Sequence, residues 1–183
     1  MPYQPGNKAI IKLIIPLFLI GFIFAGCDKA EREFYDGMGK KPVYASAEEL
    51  RDIKNEAPQP IIQSGTIYLS DTLLFILERH KGIHVFNIAD SLNTVNLTFL
   101  KIPAISDFTI SGTVLYADSW KDLVVIDISK LFQITEAGRV TNVISPPLFP
   151  PDYEGAFECV DESKGGVVGW DEVYLESAKC RTF

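Results

Sequence analysis

The segment Lys81-Gly82-Ile83-His84-Val85-Phe86-Asn87-Ile88 lies over Lys121-Asp122-Leu123-Val124-Val125-Ile126-Asp127-Ile128 at an offset of 40 residues, without a gap. Lys, Val and Ile recur in place, and Asn87 stands where Asp127 stands. Self-similarity at that spacing is restrictive. It describes a chain built by stacking one supersecondary unit on a copy of itself, because a single unit cannot bury both of its faces. The surrounding texture says what the unit is made of. Strand-like apolar runs at 67–69, 73–77, 83–88 and 95–102 precede Pro103, and runs at 108–110, 114–117 and 123–128 follow in the same order. Ser, Thr, Asp, Asn and Gly separate them, the composition of tight turns.

Several short strands per roughly 40 residues is the signature of a β-propeller blade, a small antiparallel sheet needing a neighbour on each face. Leu123-Val124-Val125-Ile126 is apolar on both faces, which suits a strand inside such a stack. The expected fold is therefore all-β, with antiparallel propeller-type blades. Residues 61–183 number 123. That is room for about two to three blades of ~40 residues, an incomplete propeller. Residues 61–145 hold two repeats. Residues 146–183, with Pro146-Pro147, Pro150-Pro151 and Gly165-Gly166 ahead of Val167-Val168-Gly169-Trp170, read as a proline-rich loop and a partial β-unit.

The same residues carry a family resemblance. Leu123-Val124-Val125-Ile126-Asp127 resembles the LVIVD repeat, Leu115-Tyr116-Ala117-Asp118 resembles its lead-in, and Gly82-Ile83-His84-Val85-Phe86-Asn87 resembles a diverged copy. The resemblance covers residues 65–130, under half the chain. It implies a truncated member of a group of bacterial surface lipoproteins thought to be β-propellers, most without an assigned biochemical activity. The pentapeptide is structural, so no catalytic residue follows from it.

The N-terminal end points the same way. Lys8 and Lys12 are the only charges before a run of twelve apolar residues, 13–24, that ends in Phe24-Ala25-Gly26-Cys27. A bilayer-spanning helix needs about 20 apolar residues. A shorter run behind a basic segment matches a secretory signal peptide. Small residues followed by Cys resemble a lipobox, with Phe24 where Leu is usual. The expectation is a signal peptide over 1–26, cleavage before Cys27, lipidation of Cys27, and an exported protein anchored in the bacterial cell envelope, with the outer membrane as the expected address. Residues 27–60 are polar and mixed in charge, and read as a tether. Ser46 with Glu49 three residues on marks a short helix within it.

Loss of Lys8 and Lys12 with the signal peptide takes the formal charge from −7 to −9. A surface that acidic repels phosphate backbones, which excludes nucleic acid as an expected partner. Cys159 and Cys180 could form a disulfide in an oxidising compartment. Their spacing is not a zinc pattern, and no metal or cofactor is expected. His80 and His84, the two histidines of the chain, fall in a turn and a strand rather than on one helix face, so a structural or surface role is expected. Asp118, Asp122 and Asp127 cluster around Trp120. Their spacing fits no calcium loop, and Asp127 suits a carboxylate bonded to backbone amides at a strand end.

No nucleophile elbow or phosphate-binding loop occurs. The expectation is thus a non-catalytic, membrane-anchored interaction module whose partner is a protein or a glycan of the cell envelope. The competing readings are a fragment of a propeller hydrolase or lyase, and a decayed product without function.

Overall fold

A computed structural model describes residues 34–183, which form one folded unit. Cys27 and the expected signal peptide over residues 1–26 lie outside the described residues. Among those residues there are thirteen strands and two single-turn 3-10 segments, and no α-helix. In chain order the strands are β1 (Tyr35–Ala45), β2 (Lys54–Glu56), β3 (Ser64–Ser70), β4 (Leu73–Glu78), β5 (Gly82–Asn87), β6 (Val95–Lys101) and β7 (Phe108–Ser111). They continue with β8 (Val114–Ser119), β9 (Asp122–Asp127), β10 (Thr135–Val140), β11 (Gly155–Phe157), β12 (Gly166–Ala178) and β13 (Cys180–Thr182).

Three sheets result. The first is the antiparallel meander β3-β4-β5-β6, with β2 added beside β6. The second is the antiparallel meander β7-β8-β9-β10. The third has the order β12-β1-β11-β13, in which β1 pairs antiparallel with β12 over its whole length and touches β11 in parallel.

The two meanders repeat each other in register. Leu74 faces Phe86 as Leu115 faces Ile126, and Ile76 faces His84 as Ala117 faces Val124. Their turns match as well. Asp71 and Gly112 adopt left-handed conformations in the β3–β4 and β7–β8 hairpins, and His80 and Trp120 do so in the β4–β5 and β8–β9 hairpins. Asn87 Oδ1 accepts from the Ala89 amide at 2.9 Å, and Asp127 Oδ1 accepts from the Ser129 amide at 2.8 Å. The side-chain oxygen at the strand end, an amide in Asn87 and a carboxylate in Asp127, thus fixes the exit turn, for the reason the sequence suggested at Asp127.

Because side chains alternate across a strand, each meander has two faces. Phe75, Leu77, Ile83 and Val85 of the first pack against Phe108, Ile110, Leu115, Val124 and Ile126 of the second, forming one buried core. A Leu, Ile or Phe buried to this extent contributes about 1.5–3 kcal/mol, so this junction holds the two repeats together. Leu123 and Val125 point the other way and are half-buried. The architecture is all-β and dominated by antiparallel sheets, with no closed propeller among the described residues.

The third sheet revises the expected organisation. Most of the segment expected as a polar tether is part of the fold. Tyr35–Ala45 forms a strand with residues far along the chain, from Tyr35 opposite Ala178 to Ala45 opposite Gly166. Lys54–Glu56 extends the first meander. The sequence hid β1 because its pattern is polar and interrupted by Gly37, Gly39 and Pro42, and its partner lies over a hundred residues away. Between β1 and β2, Ser46 and Glu49 exchange reciprocal hydrogen bonds, Glu49 N to Ser46 Oγ and Ser46 N to Glu49 Oε2. This capping box opens one 3-10 turn (Glu49–Arg51) instead of a helix. At the other end, the Cys159–Cys180 disulfide ties the loop after β11 to β13.

Candidate functional site

The turns of both meanders that carry His80 and Trp120 face the third sheet, and a cleft lies there. One part of it, about 120 Å³, is lined by His80, Asp118, Trp120, Trp170, Phe149 and prolines of the 146–151 loop. It adjoins a more open part of about 660 Å³ where Lys40, Lys81, Asp152 and Tyr153 enter. Trp120 and Trp170 are the two tryptophans of the chain, and both line the enclosed part.

Each wall has a local cause. His80 and Trp120 occupy equivalent left-handed turn positions, with φ of 64° and 59°. That conformation turns the hairpin tightly and directs both side chains out of the sheet ends. Main-chain bonds from His80 N to Ile105 O and from Ala104 N to His80 O fix the first turn against the connection between meanders. Trp120 lies on the backbone of β12 at Gly166, where a Cβ would come within 2.9 Å of the indole. Trp170 is held edge-on by Phe157, with ring centroids 5.7 Å apart. The rim is charged. Arg79 Nη1 bonds Asp152 Oδ2 at 3.0 Å, and Lys121 Nζ bonds Glu162 Oε2 at 2.7 Å, so both turns are linked to the loops flanking the third sheet.

Burial pushes the His80 imidazole below its ordinary pKa, with Arg79 adding to the shift and Asp118 opposing it. The Asp118 carboxylate is already engaged. Its Oδ1 accepts the amides of Ser106 and Asp107 at 2.7 and 2.8 Å, and Oδ2 accepts the Ser106 hydroxyl. Glu78 does the same for the first meander, accepting the amides of Ile62 and Gln63 at 2.9 and 2.7 Å. An acid at the end of the second strand thus anchors the segment leading into each repeat.

The acidic residues that the sequence brought together around Trp120 are separated by the fold. Asp118 holds the lead-in to β7, Asp122 pairs with Arg139 at 3.0 Å, and Asp127 fixes its own turn. Among the described residues no group of three or more acidic, His or Cys side chains is placed to hold a metal. His84 is fully buried on β5, against Phe99 and 3.2 Å from Glu78 Oε2. Leu123, Val124, Val125, Ile126 and Asp127 form β9, a structural element outside the cleft.

Sequence reading missed the cleft itself. Trp170 was visible as part of a strand and Trp120 as part of a turn, but 50 positions separate them. Only the pairing of β12 with β1 brings the third sheet to the turns. A sequence signal did exist: His80 and Trp120 are the aromatic residues that precede the two aligned lysines of the repeat.

No protein-family model, curated protein or solved structure matches this chain.

Proposed function

We propose that the protein is an exported lipoprotein, cleaved before Cys27 and held by lipid in the cell envelope, whose folded part is a non-catalytic binding module. In this reading the two meanders are propeller-type blades of the LVIVD kind. The exact-register repeat, the matching turns and the equivalent strand-end caps support it. The cleft between the turns and the third sheet is the binding site, and its ligand is an envelope protein or glycan. The observation that carries this reading is the convergence of Trp120, Trp170 and the 146–151 prolines at one place, rimmed by charged side chains. Flat aromatic walls with a few polar groups suit sugar rings or proline-rich chain, and of the cleft's carboxylates Asp118 is committed to backbone amides and Asp152 to Arg79.

The site supplies its own reporter. Titration with envelope glycans and with peptides from cross-linked envelope partners should change tryptophan emission, and Trp120→Ala should abolish binding while the far-UV spectrum stays unchanged. Absence of any cross-linked partner together with unchanged emission would refute the binding reading. Turnover that disappears in Asp118→Asn would favour the hydrolase or lyase reading instead. For the anchor, Cys27→Ala should remain uncleaved and lose lipid labelling. Normal processing of that variant would overturn the lipoprotein assignment.

A further inference from the structure

The two meanders pack as successive copies of one unit, so each leaves uncovered some positions that its twin buries. Pairing registers identify the twins. Ile67 and Leu69 of β3 face Ile76 and Leu74, as Phe108 and Ile110 of β7 face Ala117 and Leu115. Phe108 and Ile110 are each 6% exposed in the core between the meanders, whereas Ile67 and Leu69 are 63% and 60% exposed. The second meander mirrors this on its other side. Phe75, 1% exposed in the core, has as its twin Tyr116, which is 36% exposed. Residues 57–63 bond to Glu78 and Asn96 on the first meander's outer face, where His84 and Phe99 are already buried, and the open part is its β3 side with Ile67 and Leu69.

We infer that these two open faces are partners for each other in different copies of this chain: the Ile67/Leu69 face of one copy seats on the Tyr116 face of the next, reproducing the junction already present within the chain. The argument is continuity with that junction. Its two sides are apolar, complementary in register and closed, and the outer faces keep apolar residues at Ile67, Leu69, Leu74, Ile76 and Phe86 on one side and at Tyr116, Leu123 and Val125 on the other, with His84, Thr109 and Asp118 among the polar exceptions. A contact between unlike faces is directional, and it either closes as a ring or extends. Two to four copies would supply the roughly four to eight units with which propellers close. The inference does not depend on the cleft or its ligand.

The intrachain junction fixes which residues should meet. The Tyr68 hydroxyl donates to Ile110 O at 2.8 Å, and the Tyr68 and Phe108 rings lie 6.4 Å apart. The register twins of Tyr68 and Phe108 are Thr109 and Ile67. Thr109 of one copy should therefore lie beside Ile67 of the next. The test uses the full chain in its membrane. Ile67→Cys and Thr109→Cys chains, produced together, should give a cross-linked two-chain species under mild oxidation, and neither should give one when produced alone. Cross-linking of either variant with itself would indicate a contact between like faces and overturn the inference. No cross-link, with detergent-solubilised wild-type chain sedimenting as a monomer, would overturn it as well. A charge test guards against a misplaced cysteine. Leu69→Lys and Tyr116→Lys chains should each sediment as monomers, and an equimolar mixture should recover a dimer, since each retains the face that the other has lost. Failure of the mixture to dimerise, with both variants showing the wild-type far-UV spectrum, would refute the directional contact.

Discussion

Glu78 Oε2 lies 3.2 Å from His84 Nε2, with both side chains buried in the first meander. The same carboxylate accepts the Ile62 and Gln63 amides, so one acid joins β4, β5 and the segment entering β3. Burial raises its pKa, and the two amide bonds and His84 outweigh that, leaving it below the ordinary carboxylate value. Glu78→Ala should cost about 2–4 kcal/mol in urea unfolding, because it strands buried donors. The sign with pH follows from linkage. A carboxylate with a lowered folded pKa contributes stability above its unfolded pKa and loses it as pH falls through the folded one. Glu78→Gln should therefore flatten the acid limb of the stability profile below about pH 4.5, its ordinary value.

His80 has the opposite chemistry and the same slope. Its lowered pKa means that the fold disfavours the imidazolium. Its contribution is complete above pH 6.5, the ordinary histidine value, and declines as pH drops below it toward the folded pKa. Asn tolerates the left-handed turn conformation found at this position. His80→Asn should remove the part of the stability loss that sets in just below pH 6.5, as read by thermal melts across that range.

Two glycines of β-structure should respond very differently to alanine. A Cβ at Gly82 would sit 2.1 Å from the Leu100 carbonyl oxygen, at a φ of 156°, whereas one at Gly138 meets nothing nearer than 3.9 Å. Gly82→Ala must push β5 from β6 and should lose about 3 kcal/mol or fail to fold. Gly138→Ala should stay within about 0.5 kcal/mol of wild type. Equal losses in chemical denaturation would contradict this placement of β5.

The matching caps give a test of the repeat. Asn87→Ala and Asp127→Ala each remove one side-chain bond to an amide two residues on, and each should cost about 0.5–1.5 kcal/mol. Loss at one site with none at the other would show that the two turns are not equivalent.

Removing the Cys159–Cys180 bond by paired serine substitution frees a loop of 21 residues' separation. A loss of about 3 kcal/mol is expected from loop entropy. Proteolysis should then cut first between β11 and β13. Cleavage beginning in the meanders instead would show that the disulfide does not guard the third sheet.

The legible part of this fold was what repeats or alternates locally. The apolar runs at 73–77, 114–117 and 123–128 lie on β4, β8 and β9, and the Asn87/Asp127 correspondence gave the turn chemistry directly. The strand Thr135–Val140 was hidden because Thr-Glu-Ala-Gly-Arg-Val offers little apolar signal. Its side chains are mostly exposed, and it is held by backbone bonds to β9. The role of Glu78 is not legible in the sequence, since nothing local tells a buried acid from a solvated one. The cleft was out of reach for a different reason: its walls meet only through pairing across most of the chain.

That long-range pairing also sets an order of events. A chain made from its N-terminus produces Tyr35–Ala45 early, yet the strand that completes its ladder ends at Ala178. The meanders, whose neighbours are consecutive, can form while β1 waits unpaired, because closing a large loop is slow and local hairpins are fast. Maturation of the third sheet, and with it the tryptophan-lined cleft, is therefore timed by the emergence of residues 166–178. Any event that delays or clips residues 166–178 would leave competent meanders beside an orphaned first strand.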